Sequence, residues 1–249
     1  MAQFKINYKE YPECMFAMIA AYLPAVEGKD LRLVAGSVVF RSEDKNGNTY
    51  KNGLLHSYND QHALNVGNKN VWYKNGVLHR EGDLPAVIVD EDKREWWYNG
   101  ERHREGDLPA VIDVDRHEWY KYGKRHREGD LPAVINEDRR EWYKNGKPHR
   151  EGDLPAIIDG VYNVWYKNGV IHREGDLPSV IDAHGQIWTK NGKRHREGDL
   201  PAVIQEGRQE WWVNSIRHRE GGLPAIIDVD DGIFEEWWVD GKFISNNEQ

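Results

Sequence analysis

The sequence predicts an all-β repeat protein: an elongated, twisted antiparallel sheet of stacked β-hairpins with a short helical N-terminal cap. Three observations predict it. The octapeptide His-Arg-Glu-Gly-Asp-Leu-Pro-Ala recurs from His79, His103, His126, His149, His172, His195 and His218, after a first step of 24 residues always at 23. Two copies depart, with Ser179 in place of Ala and Gly222 in place of Asp. A Trp stands seven residues before each His, at Trp72, Trp96, Trp119, Trp142, Trp165, Trp188 and Trp211. Each repeat holds two runs of strand composition and no amphipathic helix.

Residues 1–40 lie outside the array. Met15, Phe16, Met18, Ile19, Tyr22 and Leu23 follow Pro12 at helical spacing, and Pro24 ends the run. Asp30-Leu31-Arg32-Leu33-Val34 is expected to start another short turn or helix, whereas Gly36 to Phe40 reads as a strand. The whole segment is expected to cap the first edge of the sheet. The array takes up residues 41–249 in about eight repeats of 23 residues. A worn first repeat aligns Thr49 to His56 with Trp72 to His79, with Asp60 and Ala63 in phase. Trp237 opens a final half repeat, in which Ile244 takes the His position.

Within one repeat, Ala133-Val134-Ile135 is β-branched and suits a first strand. Asn136 to Arg139 is a polar turn, and Glu141-Trp142-Tyr143-Lys144 a second strand. Asn145-Gly146 closes it with a dipeptide suited to positive φ. His-Arg-Glu-Gly-Asp then returns the chain, with Leu131, Leu154 and Leu200 expected to anchor the return loop against the sheet. Length varies at the polar turn, as a hairpin tip tolerates. Two strands per repeat, each ~4.8 Å wide, give roughly 9.6 Å of rise and on the order of 75 to 80 Å for eight repeats.

Adjacent strand residues point to opposite faces, so Trp119, Trp142 and Trp165 on one face alternate with Tyr120, Tyr143 and Tyr166 on the other. One sheet leaves such columns wet. The expected remedy is self-association through these residues, most simply as a homodimer.

Composition bounds the function. The net charge of −8 argues against a nucleic-acid binder and makes a membrane surface an unlikely partner. With 11% aromatics the chain is not a disordered one. The lone Cys14 excludes an internal disulfide and fits a reducing, intracellular compartment. The run Cys14 to Leu23 is too short to span a bilayer, and Glu10 and Glu13 argue against a signal peptide.

Recurring His invites a metal, but ligand atoms on one ion lie within roughly 4 Å of each other, and His columns ~9.6 Å apart do not. A structural His bonded to loop backbone is expected instead. Glu-Gly-Asp is too sparse for calcium. It reads as an ion-pair ladder, with Arg104-Glu105 and Arg127-Glu128 as candidates. Aromatic cages for choline or glycans are the minor reading. No catalytic, cofactor-binding or metal-ligating residue is assigned, because catalytic groups break repeat symmetry and every charged motif here recurs.

Trp142 to Lys147, Arg125-His126 and the period of 23 together resemble the MORN-repeat family. Arg-Glu-Gly-Asp-Leu-Pro-Ala replaces its usual Gly-rich stretch, and this variant resembles arrays in giant DNA virus proteins. The resemblance covers residues 49–244. It implies a non-enzymatic scaffold or protein–protein interaction module, viral in origin, found in host cytoplasm or virion. Residues 11–36 resemble the first half of an F-box, which implies a Skp-type adaptor as partner and a substrate-recruiting role as the alternative.

Overall fold

The computed structural model describes residues 29–34, 37–230 and 233–247, with residues 29–34, 37–40 and 247 described by backbone course alone. Every regular element among them is a β-strand, and every pairing is antiparallel. The fold is an all-β repeat of stacked hairpins. The chain divides into two compact units, Met1–Val114 and Asp115–Gln249.

The first unit begins with β1 (Lys29–Val34) and β2 (Ser37–Glu43). They join β3 (Thr49–Lys51) and β4 (Leu54–Leu55) in one sheet of order β1-β2-β3-β4. The turn or helix expected at Asp30–Val34 is therefore a strand, paired in register from Lys29↔Ser42 to Val34↔Ser37. The reason is local: Leu31, Leu33 and Val34 follow the two-residue period of a strand closely enough to take up the edge that β2 offers. The strand expected at 36–40 is present from Ser37, and it runs on past residue 40 into the array. The helix expected after Pro12 lies outside the described residues. The rest of this unit is a ladder of Leu64–Val66, Lys69–Val71, Val87–Val89, Lys93–Glu95 and Val111–Asp113.

In the second unit the ladder runs from Arg116–Glu118 to the last hairpin, and the repeat at 133–155 shows its logic. Val134–Asn136 pairs with Arg139–Glu141, which pairs in turn with Ile157–Asp159 of the next repeat. A second, smaller hairpin follows, Tyr143–Lys144 with Lys147–Pro148. Its turn, Asn145-Gly146, has φ of 52° and 82°, the doubly left-handed turn that Asn-Gly favours.

Each repeat thus has two hairpins where the sequence predicts two strands, and the run Glu141–Lys144 is broken at Trp142. The Trp142 N–H donates to Ala156 of the next repeat at 2.8 Å, while its carbonyl accepts from His149 of its own repeat at 3.0 Å. With its donor and acceptor serving different partners, the residue cannot continue one straight ladder. Pro148 fits its strand because its missing N–H faces no partner; its carbonyl accepts from Gly169 of the next repeat.

The core is a file of small and large residues at the break. Ala133, Ala156, Ala202 and Ala225 are fully buried, and the Trp of each complete repeat is 6–8% exposed. At the C-terminus Phe234–Val239 pairs with Lys242–Asn247 through an irregularity at Trp237/Trp238. Pairing of Glu236 with Asn246 gives this strand the partner that Glu210 finds in Ile226 of a following repeat. The array ends by folding its own chain back, on a strand with Lys, Ser and Asn at its rim.

Candidate functional site: the recurring inter-repeat contact

The octapeptide is the contact between repeats. Its Arg lies flat over the Trp of its own repeat: Arg150 sits 3.8 Å from the Trp142 ring centre, and Arg80, Arg104, Arg173, Arg196 and Arg219 sit at 3.8–3.9 Å from theirs. The same guanidinium forks the Asp of the preceding repeat. Arg150 Nε and Nη2 both donate to Asp130 at 2.7 Å, and Arg173 repeats this on Asp153. Nη1 reaches the carbonyl of the Pro five residues on, Pro155 for Arg150 at 3.4 Å. One planar cation thus serves a ring, a carboxylate and a loop carbonyl, which a Lys cannot do. These bonds hold the carboxyls of Asp60, Asp130, Asp153 and Asp176 below their ordinary value.

The His makes the second contact. Its Nδ1 accepts the backbone N–H of the turn residue in the next repeat. The bonds run from Asn75 to His56, Asn99 to His79, Asn145 to His126, Asn168 to His149, Asn191 to His172 and Asn214 to His195, at 3.1–3.4 Å. The following Gly donates to the carbonyl just before that His, as Gly169 does to Pro148. On its other side the ring meets the Glu two residues on: His149 Nε2 lies 2.9 Å from Glu151, and His103 Nε2 2.9 Å from Glu105. Lys144 Nζ reaches Glu151 too, at 3.0 Å. His149, then Lys144, pulls the Glu151 carboxyl down to about 2, and Lys190, then His195, does the same for Glu197.

The ion-pair ladder expected from the sequence exists with other partners. Arg takes the Asp of the preceding repeat, and Glu takes His and Lys of its own. Arg104-Glu105 is not the pair, since Arg104 bonds Asp83 and Glu105 bonds His103. Neighbours in sequence point to different sides of the loop, and spacing alone does not show which carboxylate crosses to the next repeat.

The opposite face holds a contact that sequence reasoning missed. Glu118 is buried, yet its carboxyl is held below the usual range, because bonds from Tyr120, Arg116 and Arg125 outweigh the penalty of burial. Glu141 takes Tyr143 at 2.7 Å, and Glu210 takes Trp212 at 2.8 Å. Where this position is Val164, an apolar cluster with Ile157 and Val180 replaces the acid, and Tyr166, Ile171 and Ile187 pack against it. The signal was present: Glu95 and Glu118 are each followed seven residues later by the Arg that bonds them, and Val71 and Val164 by Leu78 and Ile171.

Trp72, Trp96, Trp119, Trp142, Trp165, Trp188 and Trp211 are buried, and Trp237 of the last half repeat is half-buried. His79, His103 and His149 are buried; His126, His172, His195 and His218 are half-buried. The Trp half of the expected self-association surface, Trp119, Trp142 and Trp165, is covered by the chain's own Arg127, Arg150 and Arg173, while Tyr120, Tyr143 and Tyr166 remain half-buried. A choline cage needs an open aromatic face, and each of these Trp faces already carries a cation. Leu131, Leu154 and Leu200 are 41–45% exposed and do not anchor the return loop. The Arg does so instead, by tying the Pro carbonyl, and Leu is left on the outer side.

Recesses of about 340, 290 and 360 Å³ lie between consecutive return loops, and the second and third are lined by the same repeat positions. Among the described residues no group of three or more His, Cys, Asp or Glu is placed to hold a metal. No helix among them is long and apolar enough to cross a membrane. No family model, curated protein or solved structure matches the chain.

Proposed function

We propose that the protein is a non-enzymatic repeat scaffold, a protein–protein interaction module that self-associates. One observation supports this above others: the recurring Arg, Asp, His, Glu and Lys side chains are bonded to one another between or within repeats. Chemistry spent on cohesion builds a platform and leaves outward positions to vary. The half-buried Tyr column and the column of exposed Leu, such as Leu154, Leu177 and Leu200, are the surfaces offered to a second copy. A role in assembling a viral particle, in host cytoplasm or virion, rests on the resemblance of the octapeptide alone.

Light scattering across a micromolar concentration series tests the reading. The expected result is a mass above the 29.0 kDa of one chain that falls back when Leu154, Leu177 and Leu200 are each replaced by Asp. A mass that stays at one chain throughout defeats the self-association claim.

A further inference from the structure

The His contact carries a consequence beyond cohesion. A backbone amide only donates, so an Nδ1 that accepts one must present a lone pair. In the neutral ring the proton then sits on Nε2, facing the Glu of the same loop. Protonation adds a hydrogen at Nδ1 and turns it towards the N–H it had been accepting. Two donors then face each other, the inter-repeat bond is lost, and the gain at Nε2 is small because the Glu is largely in solvent: Glu151 is 75% exposed.

We propose that the His column is an acid-sensitive latch: protonation of His126, His149, His172 and His195 releases the Asn turn of each following repeat while the main ladder stays paired. Imidazole is the side chain whose ordinary titration, near pH ~6.5, suits such a role. The charged groups around His149 are Glu151 from its own loop, Lys144 from its own small hairpin behind that Glu, and Lys167 from the next repeat, which lies within electrostatic reach of Glu151.

The chain contains its own contrast. At the last contact the turn residue is Asp240 in place of Asn. Its backbone N–H donates to His218 Nδ1 at 3.1 Å, and its carboxylate Oδ1 lies 3.3 Å from the same atom. A protonated His218 therefore keeps an acceptor at Nδ1, although the Asp240 N–H loses its own, and a carboxylate at 82% exposure weakens the release of this turn without abolishing it. Asn145, Asn168, Asn191 and Asn214 bring no such carboxylate to their His.

The test follows ring nitrogen chemical shifts and backbone amide exchange in one sample of the full chain, from about pH 7.5 to about pH 5. The expected neutral form carries its proton on Nε2. As each ring titrates, protection at the amides of Asn145, Asn168, Asn191 and Asn214 falls roughly three- to tenfold, the worth of one hydrogen bond. Protection at the Trp142 and Trp165 ladder amides stays level. His149→Asn supplies an acceptor at the Nδ1 position that does not titrate, so Asn168 becomes indifferent to pH and Asn191 does not. If that variant fails to fold, the contrast in the unaltered chain between the turn amides Asn145, Asn168, Asn191 and Asn214 and the ladder amides of Trp142 and Trp165 decides. A proton found on Nδ1, rings that stay neutral to pH ~5, or turn amides unmoved when the rings titrate would each overturn the proposal.

Discussion

Ser179 Oγ lies 2.8 Å from Thr189 Oγ1, and each is the odd residue of its column. Elsewhere the first position is a fully buried Ala and the second an aromatic ring. Ser179 also reaches the Ile187 carbonyl, and Thr189 that of Ile171. Two departures from the repeat thus satisfy each other: a small hydroxyl residue replaces the ring, and a second hydroxyl replaces the methyl beneath it.

Ser179→Ala is therefore expected to destabilise by about 1 kcal/mol, through a buried hydrogen bond lost. Thr189→Tyr alone is expected to be worse, because the ring must pack over a buried Ser179 hydroxyl that is left with the Ile187 carbonyl as partner. The double variant restores the Ala–Tyr pairing of the other repeats and should recover most of that loss. Urea midpoints for the cycle check this; additive effects would mean the two sites are independent.

Arg173→Lys keeps the charge and loses the fork on Asp153, the stacking on Trp165 and the bond to Pro178. A cost of about 1 to 3 kcal/mol is expected. Arg173→Ala should cost more and shift tryptophan emission to the red as water reaches Trp165. An Arg173→Lys variant as stable as the parent would show that charge alone matters here.

Leu154→Ala should change stability by less than about 0.5 kcal/mol, because Leu154 stands on the outside of the loop at 45% exposure. Ala156, two residues on, has no free surface, and Ala156→Leu is expected to cost about 1 to 3 kcal/mol by overpacking. The two midpoints, measured together, separate the buried and exposed members of Leu-Pro-Ala.

The architecture was legible because each repeat repeats its own evidence. Asn145-Gly146 and Ala133-Val134 mark a turn and the start of a strand, and the structure places them so. What spacing concealed was direction. Trp142 and Tyr143 look like one alternating strand until the hydrogen bonds of Trp142 are followed to two different repeats. Leu154 looks like an anchor because it is apolar, but Arg150 has already tied the loop through Pro155. The pairing of Arg150 with Asp130 spans 20 residues, a distance at which Asp153, three residues off, is the more obvious candidate. At Asp30–Val34 the opposite error arose, since too few residues separate one turn of helix from an alternating strand.

The exposed carboxylates set the acid limit of the fold. Asp130, Asp153 and Asp176 are held down chiefly by the Arg fork of the next repeat, and Glu151 and Glu197 by His and Lys, to about 2. A carboxyl with a folded value below its unfolded one binds more protons when unfolded, so stability rises with pH across the gap. The contribution is complete above the ordinary carboxylate range and disappears as pH falls from 4.5 towards about 2 for these Glu residues. Because the groups sit in solvent, each contributes little, and the effect comes from repetition along the array. Urea midpoints taken down this range should fall steadily. Asp153→Asn should flatten the slope, since one titrating member of the ladder is gone while the site keeps an amide oxygen for Arg173. Added salt should lower the midpoint at neutral pH more than at the acid end, where the ladder is already discharged. A midpoint that holds level from 4.5 down towards about 2 would mean that these carboxylates bond their partners equally well in the unfolded chain.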